Sequence, residues 1–148
     1  MKSERYIAEL EEGHEKIKGL FRLLRELIET DDEPDSGAVM EALRELREVL
    51  TAHVRDEDEN FYPAIRQRAI ERGQDAFLPA IDLCSESIHL ISREAGNFFE
   101  RFKTEQDVLR YREEFKEKIE QIIDVVEERI KNEEGSLFHL YRAYFSAE

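Results

Sequence analysis

Five side chains in this sequence have the types and positions to do chemistry: His53 and Glu57, four residues apart, and His14, His89 and Glu133, each on its own. At a spacing of four, His53 and Glu57 are neighbours on one helix face. His14 fills the one gap in an apolar series, between Leu10 and Ile17. Glu133 continues an apolar line after Ile122, Val126 and position 129. His89 is less clear, because it sits beside Ile88 at the edge of a stripe. An ionised carboxylate on a buried line is costly unless something compensates it. A metal ion is one compensation; a hydrogen bond or an ion pair is another. Imidazole with carboxylate and no thiolate cluster suits non-haem iron, with manganese or zinc as alternatives. Each residue also has a plain structural reading. His14 could be a hydrogen-bonded core histidine, and His53 with Glu57 an ordinary salt-bridged pair. Three histidines, each mid-helix on a separate helix, favour convergence on one cavity. His139 lies beyond Glu133 on a different face and reads as structural.

Long amphipathic segments must position these residues. The chain holds only 6 Gly and 3 Pro, and the stretches between them follow a helical period. Ile7, Leu10, Ile17, Phe21, Leu24 and Ile28 mark a first helix from about Ser3 to Glu29. The polar run TDDEPDSG, Thr30 to Gly37, breaks it. A second helix begins near Ala38, its inner face traced by Val39, Leu43, Leu46, Leu50, His53, Glu57 and Ala64. Pro63 should perturb its last turns and Gly73 should end it. Pro79 suits the first turn of a third helix running to about Lys103. Ile81, Cys84, Ile88, Ile91, Ala95, Phe98 and Phe102 form that core face. Thr104 with Asp107 resembles a capping box opening a fourth helix, which continues through Val108, Phe115, Ile119, Ile122 and Val126 to Asn132 and beyond. The aromatic tail SLFHLYRAYF either prolongs this helix or folds back onto the others. No period-two alternation competes. The expected fold is all-α, an up-down-up-down four-helix bundle in a single domain over residues 1–148.

With those elements in place, the sequence resembles a known family. The run HVRDEDENFYPAI, His53 to Ile65, resembles the second-helix signature of hemerythrin-like, or HHE cation-binding, domains: a His, a metal-bridging Glu four residues later, then an aromatic and Pro. EEGHEKIKGL around His14 is similar to the family's first-helix histidine segment. RIKNEEGSLF, Arg129 to Phe138, resembles the fourth-helix repeat of the signature. The resemblance covers essentially the whole chain and implies a hemerythrin-like bundle. Carried over residue by residue, it implies metal ligation by His14, His53, Glu57, His89 and Glu133, with Glu57 and Glu133 bridging two irons and Glu134 the fallback for Glu133.

Two positions depart from the family pattern. Arg129 stands where the family expects the fourth-helix His, and a guanidinium offers no lone pair to a metal. On the third helix His89 stands alone, flanked by Ser85 and Arg93, where some members place two histidines. Two readings follow. In the first, the chain is a non-haem iron protein holding one or two ions, handling or sensing oxygen, peroxide, nitric oxide or iron, with any catalysis being redox chemistry at the metal. In the second, it is a metal-free bundle acting as a protein-interaction or regulatory module, with Arg129 pairing with Glu57 and Glu133 in place of the metal charge.

Composition narrows the remaining classes. Lys plus Arg number 22 against 36 Asp plus Glu, a net charge of −14, which argues against nucleic acid and against an anionic membrane surface as partners. A hydrophobic share of 41% argues against disorder. Acidic runs such as RDEDEN and REEFKEKIEQ read as solvated helix faces, with a basic protein partner as the other reading, and the aromatic tail leaves a homo-oligomer contact open. No stretch approaches the roughly 20 apolar residues of a membrane span, and the start of the chain lacks the apolar core of a secretory signal. The lone Cys84 reads as a small core hydrophobe and fits a reducing compartment, so a cytoplasmic location is expected. No nucleophile elbow, phosphate-cradling loop or Cys–His pairing is present.

Overall fold

The computed structural model describes residues 2–29 and 35–146, and among these it is all-α. The chain forms four rods. The first is α1 (Lys2–Ile28). The second joins α2 (Ser36–Asp56), a π-helical turn (Glu57–Phe61) and α3 (Tyr62–Glu71). The third is α4 (Leu78–Arg101). The fourth joins α5 (Glu105–Arg110), α6 (Arg112–Asn132), a second π-helical turn (Glu133–Leu137) and α7 (Phe138–Phe145). α1 packs on α2, α2 on α4, α4 on α6, and α6 back on α1, so sequential rods are spatial neighbours, as the expected bundle requires.

The boundaries follow local chemistry. Of the break read at Thr30 to Gly37, residues 30–34 lie outside the described residues; Asp35 caps α2, its carboxylate accepting from the Ala38 N–H at 3.1 Å. Gly73, at φ +68°, lets the chain leave α3 in the left-handed region. Pro79 lies in the first turn of α4. Thr104 accepts from the Asp107 N–H at 3.2 Å, as the capping-box reading expects. The helix it opens is short, however: Tyr111, at φ −116° and ψ 44°, interrupts it before α6 begins.

The π-helical turns change the register the sequence suggested. In each, the residue after the turn bonds back five places: Tyr62 N–H to the Glu57 carbonyl, and Phe138 N–H to the Glu133 carbonyl. One extra residue per turn carries Phe61, Tyr62, Ile65 and Ala69 inward, leaving the expected Ala64 at the margin. The first turn lies just ahead of Pro63, whose missing N–H could not complete an α-helical ladder there. On α6 the buried line runs Phe115, Ile119, Ile123, Val126 and Ile130 to Glu133, so Ile123 replaces the expected Ile122.

The core is split into two apolar halves. One gathers Ile17, Phe21 and Leu24 of α1 with Leu43, Leu46 and Leu50 of α2, Phe98 and Phe102 around the end of α4, and Phe115 to Ile130 of α6. The other gathers Ile7 and Leu10 with Phe61, Tyr62, Ile65, Ile81, Ile88, Leu137 and Phe138. Three rods pass between the halves at polar residues: the first at His14, the second at His53 and Glu57, and the fourth at Glu133. The tail packs onto its own bundle, with Phe138 and Tyr144 buried and Tyr141 stacked between Phe61 and Phe145. On the surface, Arg25 of α1 reaches Glu120, Asp124 and Glu127 of α6, and Arg142 of α7 reaches Glu4 and Glu11 of α1. No helix among the described residues is long and apolar enough to cross a membrane.

Candidate metal centre

The polar layer between the two halves is almost sealed from solvent: His14 is 0% exposed, Glu57 1% and Glu133 2%. His53 stands beside them, its side chain 9% exposed. One ligand-capable atom from each of His14, His53 and Glu57 falls within 4.8 Å of the others. His14 Nε2 also lies 3.6 Å from Glu133 Oε1, beyond hydrogen-bond reach, so Glu133 joins the group from the fourth rod. The two imidazole rings are 4.6 Å apart, centre to centre, and Phe138 stacks on the outer side of His14 at 5.4 Å.

Their orientation is fixed from behind. The Glu134 carboxylate lies 3.0 Å from His14 Nδ1. A carboxylate only accepts, so Nδ1 is the donor in this contact and Nε2 is the ring nitrogen that faces the layer. Glu134 is thus placed as the partner that orients His14. His53 is held by a close approach to α1: a Cβ at Gly13 would stand 2.7 Å from His53 Nδ1. Glycine at position 13 is what lets the ring lie against the helix. His53 Nε2 is 2.9 Å from Glu57 Oε1, yet this contact is not aligned as a hydrogen bond. His14 Nε2, His53 Nε2 and Glu57 Oε2 are all buried without a hydrogen-bond partner. Buried polar atoms in native proteins are seldom left in this state. Neutral nitrogens and carboxylate oxygens aimed at a common point are what a cation needs. The donor set therefore fits the metal ion that the sequence suggested.

Charge in the layer is tuned to match. Burial, with His14 adjacent, lowers the His53 imidazole to about 4, so it is neutral at physiological pH and its lone pair is free. Burial, then the neighbouring Glu133 carboxyl, holds Glu57 well above the usual carboxylate range. Burial works on Glu133 in the same sense, but Glu57 and the imidazoles of His14 and His53 beside it keep it below that range. The two carboxyls are thus pushed in opposite directions, and a cation between them would favour the ionised form of both. Tyr62 donates to Glu133 Oε2 at 3.2 Å, its phenol held protonated by burial and by the carboxylates beside it. A cavity of about 30 Å³ adjoins the donors, walled by Leu50, Ile88, Ile91 and Val126, with room for a ligand the size of one water.

Four of the five expected residues, His14, His53, Glu57 and Glu133, come together. His89 does not: it is half exposed and pairs with Asp58 on the outer surface. At the edge of the α4 stripe its side chain turns outward, and Ile88 and Ile91 face the layer instead. Arg129 also departs from expectation. Among the described residues it makes no direct ion pair with Glu57 or Glu133; it donates to the Tyr62 hydroxyl at 3.3 Å and reaches Glu133 only through it. Cys84 is half-buried, packed at the edge of the core. Gly13 and Tyr62 were not singled out from the sequence. The only signal for Tyr62 was its place in the aromatic end of the His53 to Ile65 run.

An all-α bundle carrying imidazoles and carboxylates in a buried layer at its middle defines the class: a helical-bundle metal-binding domain. The family model for the Hemerythrin HHE cation binding domain matches residues 5–141, nearly the whole chain, and the protein belongs to that family. No curated protein and no solved structure matches it significantly.

Two outcomes follow from this geometry. Gly13→Ala, a change that should favour an exposed helix by up to about 1 kcal/mol, is expected to displace His53 and weaken cation binding about tenfold or more in equilibrium dialysis; unchanged affinity would show that the close approach is immaterial. The second concerns pH. Because the folded value of His53 lies near 4, below its ordinary 6.5, the unfolded chain takes up the proton first as pH falls. The cation-free protein should therefore hold this contribution fully above about pH 6.5 and lose it toward pH 4, by on the order of 3 kcal/mol at most. Urea unfolding across that range should show a drop that is smaller in His53→Gln.

Proposed function

We propose that this domain binds iron without haem, and that it handles or senses a small ligand of that iron, dioxygen, peroxide or nitric oxide, or the iron supply itself. The observation that carries the reading is the set of three buried, unpartnered ligand atoms on His14, His53 and Glu57, within reach of one ion and beside Glu133. Imidazole and carboxylate donors with no thiolate among them favour iron over softer-ligand metals. Iron there supplies open coordination positions and a change of oxidation state.

The chain's own residues account for the rest. His14 and His53 present ring nitrogens, one turned by Glu134 and the other seated against Gly13. Glu57 would offer a carboxylate oxygen to the ion. Tyr62 steadies the far oxygen of Glu133. The isoleucine, leucine and valine wall lines the donors and leaves a space of about 30 Å³ beside them. A cytoplasmic setting and a diatomic or peroxide ligand fit this reading, as do self-association or a protein partner on the acidic faces.

The metal-free alternative has less support. It required Arg129 to pair with both carboxylates, whereas two imidazole nitrogens and a Glu57 oxygen remain unpartnered.

The test is the metal content and visible spectrum of protein produced with iron and purified gently, in air, reduced, and under nitric oxide. Iron bound in the wild type, and lost in His53→Ala and Glu57→Ala with helicity retained, supports the reading. Negligible iron, with stability unchanged by chelator, refutes it.

A further inference from the structure

The layer is lopsided. On one side stand His14 Nε2, His53 Nε2, Glu57 and Glu133 Oε1, donors drawn from three of the four rods. On the other, Glu133 Oε2 accepts from Tyr62, whose hydroxyl accepts in turn from Arg129. No imidazole reaches that second side: α4 faces the layer with Ile88 and Ile91, and His89 is outside on Asp58. We infer, resting on the cation-binding reading above, that the centre holds a single cation and that the guanidinium of Arg129 permanently fills the place of a second.

Three properties of the molecule lead there. A guanidinium has no lone pair and does not lose its proton, so Arg129 repels a cation where it stands and cannot ligate one. It lies half-buried on the wall of the same cavity as the four donors, with its Nε buried and without a hydrogen-bond partner. And the charges balance with one ion. Glu57, Glu133 and Glu134 bring three negative charges to the layer, which one divalent cation and Arg129 neutralise. A second divalent ion would leave excess positive charge in an apolar interior, where it is expensive. Arg129 is then a positioning residue: through Tyr62 it keeps one oxygen of Glu133 turned away, so that the other faces His14.

The test is a cobalt(II) titration of the cation-free protein under anaerobic conditions, following bound cobalt per chain by equilibrium dialysis and its visible absorption band. Wild type, Arg129→Gln and Arg129→Lys are compared, with helicity checked for each. The wild type should saturate at one equivalent. Arg129→Gln, which removes the charge, should bind cobalt about tenfold more tightly or accept a second equivalent; Arg129→Lys, which keeps the charge, should stay at one equivalent with affinity close to wild type. Two equivalents in the wild type overturn the inference while leaving cation binding intact, as does an Arg129→Gln affinity and stoichiometry equal to wild type. A change in Arg129→Lys as large as that in Arg129→Gln overturns it too, by assigning the effect to shape rather than charge. No cobalt in any of the three overturns the cation reading itself, and this inference with it.

Discussion

Two carboxylates, Glu57 and Glu133, lie in contact in the middle of an apolar bundle, and the rest of the structure answers to that arrangement. Like charges so close and so dry cannot both ionise without compensation. The protein alone manages a partial solution, in which Glu57 is held above the usual carboxylate range, Tyr62 donates to Glu133, and the imidazole of His53 stays neutral. It leaves ligand atoms on His14, His53 and Glu57 without partners. A cation would complete the layer, since the remaining wall is isoleucine, leucine and valine apart from Arg129, whose guanidinium is turned to Tyr62.

The scaffold is arranged around this layer. The hydrophobic core stops on one side at Ile17, Leu50 and Ile130 and resumes on the other at Leu10, Phe61 and Leu137. Both carboxylate-bearing rods pass into a π-helical turn at the carboxylate itself, at Glu57 and at Glu133. Such turns recur at functional sites because they bring an additional side chain to an inner face without ending the helix. Here the first brings Tyr62 inward, within reach of Glu133 and Arg129. The site's asymmetry has an equally local origin: the third rod passes the layer with aliphatic side chains, and the fourth carries Arg129 one turn before Glu133.

Much of this was legible in the amino-acid sequence. Apolar spacing marked the four rods, and His14, His53, Glu57 and Glu133 stood out as polar residues on lines that should be buried. Register was less legible. A strict 3.6-residue period carried past Glu57 selects Ala64, and only the added residue of the π-helical turn makes Ile65 the buried one. His89 sits at a stripe edge, which can turn either way, and packing against neighbouring helices, which sequence periodicity does not encode, turns it outward. Gly13, Tyr62 and Glu134 matter through contacts between residues 40 to 120 positions apart. No local pattern announces such contacts. Arg129 was visible as a departure from the family pattern, but its reach to Tyr62 rather than to the carboxylates needed the structure.

The central claim is that the buried layer holds a cation between His14, His53, Glu57 and Glu133. The most direct measurement is an anomalous-scattering difference map from crystals of the protein loaded with iron or cobalt and collected at the absorption edge of that metal. The account predicts one peak per chain, bonded to His14 Nε2 and His53 Nε2 and to the two glutamates, with the Arg129 guanidinium across from it. A layer with no peak, or a peak only at the surface pair of His89 and Asp58, would contradict it.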